Sequence, residues 1–293
     1  MKTMLSVTRL NDSHAREGRE DGKRVYELRM GRQHAVLNFY THRSERTEKL
    51  WENNVRILRL MERRDIPAAR ILSASPENLI FVTTHVGEQL DQVLKKISAK
   101  QGMNAIGSAA KIILSLAAIN AKPKPFSAPR PMERFQEAWR EGTFRKSTRD
   151  ARKRVREALT AMEQTAAALQ QKRFRYGFGR IDGDLINFAR DNQGRIATFD
   201  FDGLREYYDP YYVLGYMWVS IERVNQPRPQ HKKVAALRAA LEYTIAWDEP
   251  HSRERFALGA TAAMSIALFH RPKDAAMIRH RTKAILEILK PLT

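Results

Sequence analysis

The sequence predicts an α+β fold in two parts: a small β-rich region over residues 1–87, and a larger helical region over residues 88–293 carrying one β-hairpin. Three observations lead there. Apolar residues alternate through Lys23–Met30 and His34–Tyr40 with Gly31-Arg32-Gln33 between them, the pattern of paired strands around a turn. Beyond residue 104, apolar residues mostly recur at three- and four-residue spacing, as on one face of a helix. That helical half is interrupted by Ile186–Arg190 and Arg195–Phe199, two short strands around Asp191-Asn192-Gln193-Gly194, a strong turn signal.

The remaining elements follow in order. Thr47–Arg64 places Leu50, Val55, Leu58 and Met61 near helical spacing, and Pro67 stops it. Arg70–Ala74 and Leu79–Thr83 read as two strands separated by Pro76-Glu77-Asn78, and Val86-Gly87-Glu88 as a hinge. Ala105–Ala121 reads as a buried helix ended by Pro123 and Pro125. Residues 131–171 read as two amphipathic helices with a basic stretch, Arg145–Arg156. Lys232–Ala246, Arg253–His270 and Asp274–Leu289 are the last helices, and the aromatic group from Tyr207 to Trp218 is expected in the core.

Composition narrows the classes. The 293 residues carry 52 Lys and Arg against 33 Asp and Glu, a net charge of +19, which attracts anions such as phosphorylated sugars, anionic lipid headgroups and nucleic acid. With no cysteine, disulfides and thiolate metal sites are excluded, and the histidines show no metal-ligand spacing. The opening residues lack the apolar core of a signal peptide and no apolar run reaches membrane-spanning length, so a cytoplasmic location is expected, with peripheral membrane contact left open.

The chemistry concentrates in Arg180–Gly203. Asn187 begins the first hairpin strand and Asp200 ends the second, and their midpoint falls in the turn at Gln193 and Gly194. Strand pairing therefore brings Asn187 and Asp200 within about two residues of direct opposition. Asp182 lies on the loop entering the hairpin. Asn187 and Asp200 offer the hard oxygens that magnesium takes while leaving positions for phosphate and water. Asp182 is placed to orient an acceptor hydroxyl and accept its proton.

At these residues the sequence resembles the aminoglycoside phosphotransferases, choline kinases and lipopolysaccharide kinases, which share a protein-kinase-like two-lobe fold. Their pattern H-G-D-x-x-x-x-N, a hairpin, then I-D-F-D, meets Asp182, Asn187 and Asp200 without a gap. Tyr208-Asp209-Pro210 resembles the family's G-D-P with its structural Asp. Ala35–Tyr40 resembles the nucleotide-lobe strand, Asp65-Ile66-Pro67 the stretch after the lobe's helix, and Ile80–Val86 the hinge. The resemblance implies ATP and Mg²⁺ as cofactors, Asp182 as catalytic base, Asn187 and Asp200 as metal ligands, and nucleotide contacts from Lys23, Asn38, Thr84 and Val86.

Four departures bear on activity. Asn38 occupies the position of the ATP-anchoring lysine, and an amide cannot pair with phosphate as an ammonium does. Lys23 or Arg24 on the neighbouring strand would have to reach the phosphates instead. Either Glu48 or Glu52 matches the helix glutamate, Gly18 and Gly22 are the sole candidates for a glycine-rich loop, and the family's His-Gly before the catalytic Asp is Arg180-Ile181. The expected function is transfer of the ATP γ-phosphate to a hydroxyl of a small molecule or a glycolipid sugar, with lipopolysaccharide core favoured by the basic charge. The Arg145–Arg156 cations are either a holder for such an anionic acceptor or a solvated helix face. A pseudokinase, supported by Asn38, and a basic nucleic-acid-binding protein, supported by charge alone, are the competing expectations.

Overall fold

A computed structural model describes residues 5–11, 23–30, 33–180, 183–199 and 204–290. In chain order the elements begin with strands β1 (Leu5–Asn11), β2 (Lys23–Met30) and β3 (Gln33–Tyr40), then helix α1 (Glu45–Arg63). Strands β4 (Ile71–Ser75), β5 (Ile80–Thr84) and β6 (Glu88–Gln89) follow, then helices α2 (Leu90–Lys96) and α3 (Ala99–Ala118). Next come β7 (Lys122–Pro125), α4 (Arg130–Arg140), α5 (Arg149–Ala167), β8 (Arg173–Arg180), a 3₁₀ turn at Leu185–Asn187, β9 (Phe188–Arg190), β10 (Ile196–Thr198) and β11 (Leu204–Tyr208). The chain closes with α6 (Pro210–Ser220), a second 3₁₀ turn at Ile221–Asn225, α7 (His231–Thr244), α8 (Ser252–His270) and α9 (Ala275–Leu289). An N-terminal antiparallel sheet thus precedes a largely helical region, the α+β class expected.

Packing divides the chain into two units, residues 1–93 with 186–203, and residues 94–185 with 204–293. The hairpin that the sequence reading grouped with the helical part is here counted with the first unit.

The first unit is built on a five-stranded antiparallel sheet ordered β1-β2-β3-β5-β4. Opposed residues point to the same face, so the pairs Val25–Asn38, Glu27–Val36, Asn38–Phe81 and Val36–Thr83 define one face. Residues Glu27, Asn38, Tyr40, Phe81 and Thr83 of that face are buried. Helix α1 starts where Ser44 accepts from the Thr47 amide and the Thr47 hydroxyl accepts from the Ser44 amide, a reciprocal cap. Its buried stripe holds Trp51, Val55, Leu58 and Met61 at three- and four-residue steps. Each such side chain contributes about 1.5–3 kcal/mol over its exposed state. Polar groups pin the helix to the sheet: the Trp51 indole donates to the Ile80 carbonyl at 3.1 Å, and the Asn54 amide to the Tyr40 hydroxyl at 3.3 Å.

The second unit has a three-stranded sheet, β11-β8-β7, and a core built around Phe135, Phe144, Val155, Met162, Leu258 and Ile285, drawn from α4, α5, α8, α9 and the turn between α4 and α5. Helix α3 starts at Ala99 rather than at the expected Ala105, because Ser98 and Gln101 form a capping box nearly two turns earlier. Among the described residues no helix is long and apolar enough to cross a membrane.

Candidate functional site

The hairpin has the predicted turn chemistry. Asp191 Oδ1 accepts from the amides of Gln193 and Arg195, both at 2.9 Å, and Gly194 takes φ +83. Strand register pairs Arg190 with Ile196, Ala189 with Ala197 and Phe188 with Thr198. The next pair outward is Asn187 and Phe199, with the Phe199 amide donating to the Asn187 carbonyl at 3.2 Å. Asp200 follows Phe199 directly in the chain. Asp200 and Asp182 themselves lie outside the described residues, as do Gly18 and Gly22.

Asn187 is buried and ends the 3₁₀ turn, so its strand pairing starts only at Phe188. The Thr198 hydroxyl adds a second bond to the Asn187 carbonyl at 3.1 Å. Three contacts moor the hairpin within the first unit. The Thr198 amide donates to the Pro67 carbonyl and the Ala69 amide to the Thr198 carbonyl, each at 3.1 Å. Glu88 and Gln89 pair with Arg190 and Ala189. The stretch after α1 and the expected hinge thereby fix where Asn187 stands.

The nucleotide-side expectations resolve unevenly. Lys23 is buried at the start of β2, two residues from Val25, which opposes Asn38. Lys23 and Asn38 therefore share the buried face as diagonal neighbours, a separation a lysine side chain spans. Arg24 is exposed on the opposite face. The Thr84 hydroxyl accepts from the Arg70 amide at 2.9 Å, and that bond ties β5 to the start of β4. Val86 is half-buried in the segment between β5 and β6. On α1, Glu48 is paired with Arg43 at 2.6 Å, and Glu52 is exposed. The helix positions that turn toward the sheet are Thr47, Trp51 and Asn54, so neither glutamate packs there.

One polar cluster on this face went unread in the sequence. The Glu27 carboxylate is 4% exposed and takes both Arg29 Nε at 2.8 Å and Arg29 Nη2 at 2.9 Å. His34 Nδ1 stands 3.3 Å away and His85 Nε2 3.9 Å. Arg29, first among these, holds the Glu27 carboxyl below its usual range against the opposing effect of burial. Burial holds the His85 imidazole below its usual range, which keeps it neutral at pH 7. Strand alternation already puts Glu27 and Arg29 on the face of Lys23, and the β2–β3 hairpin sets His34 opposite Arg29; His85 joins only because β3 runs beside β5.

In the second unit, the loop at 183–185 is clamped. A Cβ on Gly183 would overlap the Val213 carbonyl oxygen, so only glycine lets the loop lie this close to α6. Asp184, not among the expected site residues, is buried and meets Arg223 Nη2 at 2.6 Å. Asp209 caps α6 by accepting from the Tyr211 amide at 2.9 Å, and its other oxygen meets Arg255 Nη1 at 3.1 Å. Both side chains of that pair are fully buried, and Arg255 also meets Glu249 at 2.8 Å. Burial pushes the Asp209 carboxyl up to about 6 against the pull of Arg255.

Comparison with solved structures covers nearly the whole chain. A thermostable mutant of the aminoglycoside phosphotransferase APH(4)-Ia matches with TM-score 0.60 and 14% identity, over 99% of this chain and 96% of that one. This chain has the kinase-like fold of the aminoglycoside phosphotransferases and choline kinases. Choline kinase LicA from Streptococcus pneumoniae matches with TM-score 0.55 and 15% identity, over 98% of this chain and 93% of that one. A ternary complex of the APH(4)-Ia enzyme with ADP and hygromycin B matches with TM-score 0.57 and 15% identity, over 97% of this chain and 94% of that one. No protein-family model matches the sequence, nor does any curated protein. The kinase-like architecture expected from the Asp182–Asp200 stretch is therefore present from end to end, at sequence identities that carry the fold and leave the chemistry to the residues.

Proposed function

We propose that this protein is an ATP-dependent phosphotransferase that phosphorylates a hydroxyl of a small-molecule acceptor. The observation that carries the reading is the hairpin register: Asn187 stands opposite the residue before Asp200, on a fold whose solved members include one crystallised with ADP and an aminoglycoside. The donor set fits Mg-ATP in its described part, since Asn187 offers a hard amide oxygen at the mouth of a moored strand end and Lys23 offers an ammonium beside Asn38. Bound there, Mg-ATP would supply the γ-phosphoryl group in a form neutralised for transfer. Asn187 and Asp200 would hold the metal, Lys23 would take over from the lysine that Asn38 replaces, and the Val82–Glu88 segment, with Thr84 and Val86, would border the base. Asp182 would orient the acceptor hydroxyl and take its proton. The net charge of +19 supports an anionic acceptor, a phosphorylated sugar or a lipopolysaccharide-core sugar, over a cationic drug.

The pseudokinase reading keeps a specific support: buried Asn38 on β3 stands at the position that the resemblance gives to the ATP-anchoring lysine. One experiment separates the two. Mg-ATP binding by thermal shift and phosphate release are measured for wild type, Asp200→Ala and Asp182→Ala. Binding lost in Asp200→Ala, with turnover alone lost in Asp182→Ala, establishes the phosphotransferase. Nucleotide binding without turnover in the presence of an anionic-sugar panel establishes the pseudokinase, and no nucleotide binding by any of the three removes both.

A further inference from the structure

The α4–α5 segment forms a pocket of about 530 Å³ that the phosphate-transfer reading does not use. Six cations line it, Arg140, Arg145, Arg149, Arg152, Lys153 and Arg156, and no acidic residue does. Trp139 and Phe144, with ring centroids 6.2 Å apart, supply an apolar wall.

This arrangement works against the helix that carries it. Arg149, Arg152, Lys153 and Arg156 follow the i, i+3, i+4, i+7 spacing of one helix face, where like charges repel. They also crowd the first two turns of α5, the end at which the helix dipole disfavours cations. The acid in the first turn, Asp150, is taken by Arg154, which is outside the pocket. Lys153 has only a 4.0 Å approach to Glu157. Among the described residues, Arg140, Arg145, Arg149 and Arg156 make no ion pair.

The turn between the helices is shaped to the same end. Gly142 takes φ +76, and a Cβ there would strike the Arg145 guanidinium, so the missing side chain leaves Arg145 its place in the lining. The Arg145 amide donates to the Gly142 carbonyl at 2.9 Å and closes the turn. Five guanidinium forks and one ammonium around one concavity suit planar, bidentate recognition of phosphate oxygens. Several phosphates are needed to meet them all.

We propose that this pocket binds a compact ligand carrying several phosphate groups. The proposal does not depend on phosphotransferase activity, and its test contains neither ATP nor magnesium. A soluble polyphosphorylated molecule and the multiply phosphorylated headgroup of a lipid offer the same chemistry, and the two arms of the test tell them apart. The full chain is titrated calorimetrically with inositol hexakisphosphate, and co-sedimented with phosphatidylcholine vesicles containing or lacking phosphatidylinositol bisphosphate. Wild type is compared with the triple variant Arg149→Gln/Arg152→Gln/Arg156→Gln and with a charge-matched triple control on α1, Lys49→Gln/Arg59→Gln/Arg63→Gln.

Wild type and control are expected to bind in at least one arm, with affinity falling as salt rises, and the triple variant to lose tenfold or more. Loss in the hexakisphosphate arm identifies a soluble ligand; binding and loss confined to phosphatidylinositol bisphosphate vesicles identify a lipid headgroup. The triple variant should also melt no lower than wild type, because the repulsion on α5 is relieved. Binding by the triple variant equal to the control, no binding by wild type in either arm, or a lower melting temperature in the triple variant would each overturn the proposal.

Discussion

Asn187 and Phe199 face each other at the open end of the β9–β10 hairpin, joined by a 3.2 Å hydrogen bond from the Phe199 amide to the Asn187 carbonyl. The backbone of Asn187 is thus engaged in the ladder, and under the proposed function its side chain would share one metal ion with Asp200, the residue after Phe199. Asn187→Ala should lower the Mg²⁺ dependence of ATP binding by at least ~10-fold, the low end of what losing even an outer metal partner costs. Asn187→Asp keeps a hard oxygen and should retain magnesium binding. Nucleotide-induced thermal shifts across a magnesium titration make the comparison, and equal behaviour of wild type and Asn187→Ala would remove Asn187 from the site.

Lys23 and Arg24 are distinguished by face. Lys23 is buried beside Asn38 and Arg24 is exposed on the other side of β2. Lys23→Met is expected to weaken ATP binding by ~10-fold or more, equivalent to about 1.4 kcal/mol, and Arg24→Met to leave it unchanged. The reverse order would assign the phosphate contact to the outer face.

The Glu27 cluster gives the fold an acid-sensitive point. Its carboxyl is held below the usual value of 4.5, so the folded state binds that proton less readily than the unfolded chain. The stabilisation is complete above pH 4.5 and is lost as pH falls through the lower folded-state value. Melting temperatures between acid and neutral pH should fall for wild type in that window. Glu27→Gln should start lower at neutral pH and lose less on acidification; parallel curves would show that Glu27 is not the titrating group.

Gly183→Ala drives a methyl group into the α6 backbone at Val213. Overpacking of this kind costs about 1–3 kcal/mol, measurable as a lower urea midpoint with unchanged slope. Because Gly183 follows Asp182 directly, turnover should fall further than stability does; a variant with wild-type stability would mean the loop can lift off α6 freely.

The Asp209–Arg255 pair anchors α6 to α8 in full burial. Replacing Asp209 by Ala leaves a buried guanidinium with Glu249 alone and removes the α6 cap, and losing one member of such a pair costs about 3–5 kcal/mol. Chemical denaturation of Asp209→Ala checks this, and a loss under about 1 kcal/mol would show water reaching Arg255.

Legibility in the sequence followed the locality of the signal. The β2–β3 hairpin and the register that sets Asn187 opposite Phe199 were readable because alternation and the Asp191–Gly194 turn set pairing by themselves. Strand β7 was not, since Pro123 and Pro125 read as breakers; on the edge of its sheet, beside β8 alone, proline is tolerated. Strand β8 alternates Phe174, Tyr176 and Phe178, all buried, but Gly177 and Gly179 on either side of Phe178 obscured the pattern. Helix α6 is buried almost all round and so shows no helical period, only an aromatic-rich run. Of the site, the Glu27 cluster escaped notice because His85 is brought to it by pairing of β3 with the distant β5, which no local motif announces.

The chain passes from one unit to the other at residues 93–94, 185–186 and 203–204. No single cut can therefore release either unit whole. A fragment ending at residue 93 would leave Glu88 and Gln89 without Arg190 and Ala189 to pair with, and Pro67–Ala69 without Thr198. Recombination that swaps the first ninety-odd residues between relatives of this fold must graft residues 186–203 along with them, and a ribosome must have delivered at least that far before the first unit can close.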